Sequence, residues 1–503
     1  MGYTYDHPDL VPGSWLERWG MKFQWTSEHL TPEQLQPWVH SYDTLATEAV
    51  ERLDEIAPPP YAMAPPKDGN IEGAIQPDGE KKPRRDLYKM LQEYAGKDEK
   101  VGKLWTQINT VPDWVDWEQI ERGQKVFFRY GGPALTSLTF LSLLGGMGSG
   151  RTVETLDRTG GFDVKVVRRR LLETTQHTLN VHKDLKSIQP GGDGFVNSIQ
   201  VRLLHSAVRR RILQMEAQRP GYYDVAEFGV PVNDLDSIGT INTFSATVIW
   251  MGLPRQGVFL RRQEILDYLA LWRYVAYIMG VPHDWMADPG SAKRMMESLL
   301  ISEIRPTPAS ANLANNIITG LKNHPPTYAS HEFMCAQTYW LNGRELAEKL
   351  QIDKPSLYYS ALVLGQCLFF MAMGYLNRSI SALDERNINV SQVYSPWPER
   401  SMCIQCLSPF STLFRSLFLP LAYTKIKPLS NLARLSTLPL LTHKRPNPYS
   451  SSAKSSSLSC STTSPEAVWA TRATSFSSWS RSTTRCPRSG PGRTPAPGSG
   501  SPV

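Results

Sequence analysis

The segment Arg202-Leu-Leu-His-Ser-Ala-Val-Arg209 lies near the middle of the chain and sets the expectation for its fold. In and around it, Val201, His205, Val208 and Ile212 recur at spacings of 4, 3 and 4 residues. On a helix with ~3.6 residues per turn these side chains form one stripe. The pattern therefore predicts a helix that directs a single imidazole towards the protein core.

Two arginines flank this imidazole on the same side of the helix. Arg202 lies three residues before His205, and Arg209 lies four residues after it. A ring nitrogen can bind the iron of a porphyrin while a guanidinium pairs with a propionate through two parallel hydrogen bonds. Two interpretations stay open: a haem ligand, or a hydrogen-bonded histidine of an ordinary core.

The preceding helix, predicted over Val164–Val181, carries a second polar cluster. Arg170, Thr174 and His177 are spaced 4 and 3 residues apart, and Glu173 adjoins them. These side chains share one helix face, as the wall of a pocket requires. A solvated face with salt bridges inside the helix explains the same pattern, because three consecutive arginines occur here.

The segment Ser187-Ile-Gln-Pro-Gly-Gly-Asp-Gly194 joins the two helices. It is rich in residues that favour turns. The sequence therefore predicts an antiparallel helix pair that faces a shared cavity.

Several short motifs, in their order and spacing, resemble one known family, which comprises rubber oxygenases (latex-clearing proteins) and oxygenases of the mycophenolic-acid pathway (mpaB-like). The resemblance covers roughly residues 110–385 and is of the fungal type. The motifs are Arg170-Leu-Leu-Glu-Thr174, Leu203-Leu-His-Ser-Ala-Val-Arg209, Asn233-Asp-Leu-Asp-Ser-Ile238, Ile249-Trp-Met-Gly-Leu-Pro254 and Leu357-Tyr-Tyr-Ser360.

The resemblance implies an all-α, globin-like domain that holds a non-covalent haem b. It makes His205 the proximal iron ligand, with Arg209 beside it, and places Arg170 and Thr174 in the distal pocket. The latex-clearing type has a lysine just before the threonine, where this chain has Glu173.

The implied reaction is the use of dioxygen on an apolar unsaturated substrate, isoprenoid or lipid-like, as in fungal secondary metabolism. Arg170 and Thr174 would donate hydrogen bonds to developing negative charge at the iron. Glu173 or Glu154 would remove an allylic proton.

The net charge of +7 is concentrated at the C-terminal end. From Pro398 onwards there are 13 basic and 2 acidic residues, and the rest of the chain has 41 basic and 45 acidic residues. The body therefore lacks the basic footprint of a nucleic-acid-binding protein.

Two of the six cysteines, Cys335 and Cys367, lie in the expected folded body, which favours reduced thiols in an intracellular protein. The pair Cys403-Ile-Gln-Cys406 has no second pair at zinc-finger spacing. No Cys-x-x-Cys-His motif for covalent haem attachment occurs.

The N-terminus does not have the pattern of a signal peptide. The most apolar runs, at Pro133–Met147 and Ala361–Tyr375, are shorter than the ~20 residues that cross a bilayer. We expect an intracellular protein, cytoplasmic or attached peripherally to the endoplasmic reticulum.

The chain is predicted to hold one helical domain with additions at both ends. Residues 1–85 form an N-terminal extension with a helix from Thr31 to about Ile56 and a proline-rich loop, and residues 86–390 form the oxygenase-like domain. Helical spacing of Ile238, Ile241, Phe244, Val248 and Met251 predicts one amphipathic helix. Further helices are expected at about 260–280, 290–303, 309–322, 335–350 and 355–383, with no run of alternating strands. Residues 391–503 form a low-complexity tail, which we hypothesise is a gene-model artefact.

Three other interpretations are compatible with the sequence. His182-Lys-Asp184 begins a possible two-histidine, one-carboxylate triad of a non-haem iron oxygenase. A helical binding protein without a cofactor, and a non-functional product of a damaged gene, are the others. Gly145-Gly-Met-Gly-Ser-Gly150 follows a predicted helix and lacks a terminal Gly-Lys-Ser/Thr, so a helix end and hinge is favoured over a phosphate loop.

Overall fold

The computed structural model describes residues 10–58, 85–325 and 327–394. Two short strands, β1 Trp15–Arg18 and β2 Met21–Gln24, precede the helices. The helices are α1 Pro32–Leu35, α2 Thr44–Ile56, α3 Leu87–Tyr94, α4 Glu99–Asn109, α5 Trp117–Arg129, α6 Gly131–Thr136, α7 Gly150–Arg158, α8 Val164–His182, α9 Leu185–Ile188, α10 Asp193–Gln218, α11 Val225–Phe228, α12 Asp234–Phe244, α13 Arg262–Ile278, α14 Pro289–Ser302, α15 Pro308–Leu321, α16 His331–Lys349, α17 Leu357–Ser379 and α18 Ser381–Tyr394. The prediction of an all-α fold is confirmed.

The strands form an antiparallel hairpin that the sequence pattern did not reveal. Trp19 and Gly20 make the turn with φ of 51° and 70°, and Leu16 pairs with Phe23. Both paired residues are buried. Each strand has only four residues, which is too short for a clear alternation of polar and apolar side chains.

The predicted helix from Thr31 to Ile56 is interrupted. Thr31 forms the expected capping box with Gln34 at the start of α1. A 3₁₀ turn then runs over Gln36–Val39, and Asp43 caps a new helix, α2. Pro37 has no N–H to donate, which explains why a regular α-helix does not continue through this point.

Helices α5 and α13 form the centre of the largest apolar core. Gly123 of α5 lies so close to α13 that an added Cβ would come within 2.3 Å of the Asp267 carbonyl oxygen. Phe127 and Trp272 are fully buried in this core. Leu35 and Leu53 of the N-terminal segment belong to the same core, so the described part of that segment packs as an integral part of the domain.

Two glycines at the connection between α8 and α10 allow the backbone to pack closely there. A Cβ on Gly192 would meet the Lys186 carbonyl oxygen at 2.1 Å, and one on Gly194 would meet the Asn180 carbonyl oxygen at 2.7 Å. Only glycine permits this approach without displacing the backbone. The turn-forming composition of the loop therefore predicted a connection that the structure contains.

One predicted helix is shorter than its pattern indicated. Ile238 and Ile241 lie in α12, but this helix ends at Phe244, and Ser245 has non-helical φ and ψ of −116° and −90°. Val248, expected on the same helix, begins a separate wide π-helical turn. The placement of Val248 in α12 was wrong, because the apolar period continued through a break in the backbone.

A π-helical segment, Ser137–Leu144, continues from α6, and the glycine-rich segment that follows it is packed against other parts of the chain. A Cβ on Gly145 would meet the Asn342 Oδ1 at 1.9 Å, and one on Gly150 would meet the Arg305 carbonyl oxygen at 2.6 Å. These glycines serve close packing. Of the predicted tail, residues 391–394 end α18, and residues 395–503 with their four cysteines lie outside the described residues.

Candidate functional site

Helices α8 and α10 run antiparallel and are joined by side-chain hydrogen bonds. The His177 Nε2 lies 3.0 Å from the Ser198 Oγ, and the Asn180 Nδ2 donates to the Asn197 Oδ1 at 2.6 Å. The antiparallel pair predicted from the sequence is therefore present, and it brings His177 to the same helix interface as the start of α10.

His205 lies two turns after Ser198 on the same side of α10 and is half-buried. Val201 and Val208 are half-buried as well, whereas Arg202 and Arg209 are buried, so the predicted stripe faces the core only in part. The His205 ring accepts or donates no hydrogen bond to the residues that the structure describes. Burial, with a smaller effect of the Arg209 charge, lowers the pKa of His205 to about 4. The imidazole is therefore neutral at physiological pH and keeps a lone pair, as a metal ligand must.

His177 has a similar electrostatic setting. Burial, followed by the neighbouring His205, lowers its pKa to about 4. Its hydrogen bond to Ser198 satisfies one ring nitrogen. His177 is thus a neutral hydrogen-bonding group beside His205.

Arg202 is buried and faces the N-terminal segment. Its Nε and Nη2 donate to the two carboxylate oxygens of Asp43 at 2.6 and 3.0 Å. Its Nη1 donates to Gln107 Oε1 at 2.6 Å and to the Ile278 carbonyl oxygen at 3.0 Å. The predicted role of Arg202 in binding a cofactor carboxylate is not supported by these contacts, because Asp43 already supplies the carboxylate.

Arg209 is also buried but has neutral partners. It donates to the carbonyl oxygens of Pro231 and Val232 at 3.1 and 2.6 Å, and to the Thr47 Oγ1 at 2.7 Å. Its guanidinium carbon lies 4.7 Å from the centre of the Tyr42 ring. Burial lowers its pKa from the ordinary value. The contacts place Arg209 as a support of α10, next to His205.

Arg170, Glu173 and Thr174, the predicted catalytic residues, lie in the middle of α8, where Glu173 and Thr174 are exposed. The Arg170 Nη1 is 3.5 Å from the Glu173 Oε2, and both side chains are more than a third exposed. The Thr174 Oγ1 donates to the Arg170 carbonyl oxygen at 3.1 Å. These contacts match the solvated face with internal ion pairs, which was the alternative interpretation of this pattern. Arg170 and Glu173 are not among the charged residues that shift the pKa of His205, which are Arg209 and Asp43.

Glu154, the other proposed base, is paired within its own helix. Its Oε2 accepts a hydrogen bond from the Arg158 Nη1 at 2.8 Å.

Asp236 is a buried carboxylate near α7 that sequence reasoning passed over. It accepts a hydrogen bond from the Thr152 Oγ1 at 2.8 Å, and burial raises its pKa to about 6. The Asn233 side chain caps the backbone N–H of Asp236, so the available signal was a capping motif rather than a catalytic one.

The residues of the non-haem alternative serve the fold. His182 is fully buried, stacks on Phe127 with ring centres 4.0 Å apart, and has a pKa lowered to about 3 by burial. Asp184 caps α9 through the Ser187 N–H. In the described parts of the chain, no group of three or more His, Cys, Asp or Glu side chains is placed to hold a metal ion. The geometry therefore does not support a two-histidine, one-carboxylate site at His182.

Comparison with known proteins identifies the central region. A family model described as the catalytic domain of the ER-bound oxygenase mpaB/B′ and rubber oxygenase matches residues 128–368. A rubber oxygenase from Streptomyces sp. (strain K30) is 24% identical over 205 residues, which are 38% of this chain and 46% of that protein. The chain thus matches about half the length of this relative. The structure of a latex clearing protein in its closed state superposes with a TM-score of 0.51 at 15% identity, covering 74% of this chain and 95% of the other.

Proposed function

We propose that this chain is an oxygenase that acts with haem b and dioxygen on an apolar unsaturated substrate, because residues 128–368 match the family model of mpaB-type and rubber oxygenases. The substrate class is isoprenoid or lipid-like. His205 is the proposed iron ligand. The observation that carries the proposal is the neutral imidazole of His205, which has no hydrogen-bond partner among the described residues.

The residues around His205 fit a haem. An iron porphyrin needs one imidazole ligand from this side and an apolar surface against its ring. Val201 and Val208 are half-buried next to His205, and the Leu204 side chain is 43% exposed. The unpaired imidazole is the donor that the iron requires. The accessible apolar side chains beside it offer the surface that the porphyrin ring requires.

When bound, a haem supplies the activation of dioxygen, and the protein supplies binding and electrostatics. The positive charge of Arg209 disfavours protonation of His205 and so keeps the ring available as a ligand. The Arg202–Asp43 pair holds α10 against the N-terminal segment and fixes the position of His205. Both arginines are therefore positioning residues in this proposal.

Arg170 and Thr174 would be the hydrogen-bond donors to dioxygen, and Glu173 or Glu154 would accept a substrate proton. Arg170 and Thr174 are on the open part of α8, where a ligand can reach them. Glu173 stands where the latex-clearing type has a lysine, so this chain offers a carboxylate at the point where that type offers an amine.

The proposal is tested by the haem content of the purified full chain, produced with a haem precursor in the medium. We expect about one haem per chain by pyridine haemochromogen assay, a strong Soret band, and loss of both in His205→Ala. His324→Ala is the matched control, since His324 is an exposed surface histidine bonded to the Lys322 carbonyl oxygen.

A folded wild-type chain that binds no haem contradicts the proposal and favours a helical protein without a cofactor. Full haem content in His205→Ala, with unchanged circular dichroism, contradicts the ligand assignment. Oxygen uptake with an isoprenoid alkene, abolished by His205→Ala, tests the activity separately from cofactor binding.

A further inference from the structure

Helix α17 presents an apolar face that the described part of the protein does not cover. Leu357, Ala361, Leu364, Leu368, Ala372 and Leu376 follow one another at helical spacing, and all are exposed. Leu357 is 89% exposed and Leu368 is 56% exposed. Between Leu357 and Asn377 the sequence has no charged residue. Soluble monomers rarely expose so continuous an apolar surface without a partner.

The opposite face of α17 is packed into the protein. Val363, Cys367 and Gly374 are buried, and the Gln337 Nε2 of α16 donates to the Gln366 Oε1 at 3.0 Å. By length and composition α17 is the one described helix that is able to span a bilayer, yet 28% of its most apolar window is buried within the protein. Spanning would expose these buried groups and separate the helix from α16. Lying in the plane of the interface uses only the face that is already exposed.

The end of this face carries an aromatic residue and unpaired positive charge. Phe259 is 60% exposed, and it is tied to α17 because its N–H donates to the Tyr375 hydroxyl at 3.2 Å and its carbonyl accepts from the Arg378 Nη1 at 3.0 Å. Arg261 and Arg262 follow two and three residues later and are exposed, and neither forms an ion pair with a described carboxylate. In α18, exposed Glu385 and Arg386 contribute no net charge.

We propose that the leucine face of α17, with Phe259, Arg261 and Arg262 at its end, binds the surface of an anionic lipid membrane. The apolar side chains enter the boundary between headgroups and acyl chains, and the two guanidinium groups pair with lipid phosphates. Phe259 lies between these regions, where aromatic residues are stabilised. An in-plane helix of this kind attaches the protein peripherally. The proposal does not depend on the identity of a cofactor.

The charge at one end favours a membrane over a second copy of this chain. In a twofold dimer through this face, Arg261 and Arg262 would find no complementary acidic cluster on α17, because that helix has no charged residue before Arg378. A bilayer that contains acidic lipids offers both an apolar interior and a negative surface.

Vesicle co-sedimentation of the full chain tests the proposal. Vesicles of phosphatidylcholine alone are compared with vesicles that also contain phosphatidylserine, for wild type, Leu364→Glu/Leu368→Glu and Arg261→Glu/Arg262→Glu. Val11→Glu, at an exposed apolar position outside α17, is the matched control. Circular dichroism and gel filtration of each variant check that it is folded and report its oligomeric state.

We expect wild type and Val11→Glu to bind the anionic vesicles. At ~0.5 M salt, which screens the basic C-terminal tail, the leucine variant is released and wild type is retained. At ~0.1 M salt the arginine variant binds at least about tenfold more weakly, given ~1 kcal/mol per basic residue near an anionic surface.

Equal binding of the leucine variant and wild type in high salt overturns the proposal, since the attachment would then belong to another part of the chain. A wild-type dimer that Leu364→Glu/Leu368→Glu converts to a monomer also overturns it, and assigns the face to self-association. Because no assay here measures haem or activity, the result is independent of the haem proposal.

Discussion

At the scale of single residues, three histidines of α8 and α10 differ in what their rings contact: His182 is fully buried, and His177 and His205 are half-buried. His182 hydrogen-bonds the Thr178 carbonyl oxygen through Nδ1 at 2.7 Å and stacks in an aromatic cluster, while its buried Nε2 has no partner. His177 bonds Ser198, and His205 has no such bond among the described residues. Burial lowers the pKa of all three. The contact partner, rather than the pKa, separates the candidate ligand from the structural histidines.

The lowered pKa of His182 predicts a dependence of stability on pH. Its folded-state pKa of about 3 lies below the ordinary ~6.5 of an unfolded chain, so the unfolded state takes up the proton first as the pH falls. The contribution is fully present above pH ~6.5 and is lost progressively towards pH ~3. At pH 5 this group lowers the free energy of unfolding by about 2 kcal/mol relative to neutral pH.

We expect His182→Phe to make the free energy of unfolding less dependent on pH. Urea denaturation at pH 7.5 and pH 5 measures this, and the loss between the two values is about 2 kcal/mol smaller in the variant. Phenylalanine keeps the stacking on Phe127. His324→Phe, at the exposed position, should leave the loss unchanged. The same loss in His182→Phe and wild type would show that this ring is not a source of the acid sensitivity.

At the scale of elements, glycines decide how closely helices approach. Gly123 of α5 faces the α13 backbone, and an added Cβ would come within 2.3 Å of a carbonyl oxygen there. Gly239 lies inside α12, where a Cβ meets no atom within 4 Å. The two positions are both helical, and they differ in the space beside them.

This difference predicts opposite effects of the same substitution. Gly123→Ala should destabilise the fold by about 1–3 kcal/mol, because α5 and α13 must separate. Gly239→Ala should stabilise it by about 0.5–1 kcal/mol, since alanine restricts the unfolded chain and favours the helix. Thermal and urea denaturation of the two variants provide the measurement. Equal effects at the two positions would contradict the packing described for α5.

At the scale of the whole molecule, the N-terminal segment is bound to the central helix by a buried ion pair. Asp43, which also caps α2 through the Ala46 N–H, holds Arg202 of α10 across 159 residues of sequence. The pair closes the N-terminal helices over the core, which also contains Leu35 and Leu53. The described part of the segment that the sequence indicated as an extension, residues 10–58, is thereby part of the domain that supports His205.

Removing one partner of this pair should be costly. Arg202→Met leaves the Asp43 carboxylate buried without its cation, and we expect a loss of roughly 3 kcal/mol or more. Arg344→Met, which removes an exposed pair with Glu348, should cost under about 1 kcal/mol. Equilibrium urea unfolding compares the two. A loss for Arg202→Met no greater than for Arg344→Met would show that the pair does not stabilise the fold.

The sequence by itself determined the helical class, most helix positions after residue 260, and the antiparallel arrangement of α8 and α10. Helical periodicity, caps and turn residues are local signals, and these features depend on local backbone preference. The break at Ser245, the hairpin at Trp19 and the direction of the arginines around His205 came only from the tertiary structure. Arg202 and Arg209 share a helix side with His205, as the spacing predicted, but their partners are Asp43, Thr47 and the carbonyl oxygens near Pro231. Which group meets a buried charge depends on segments far apart in the chain, and spacing within one helix carries no information about them.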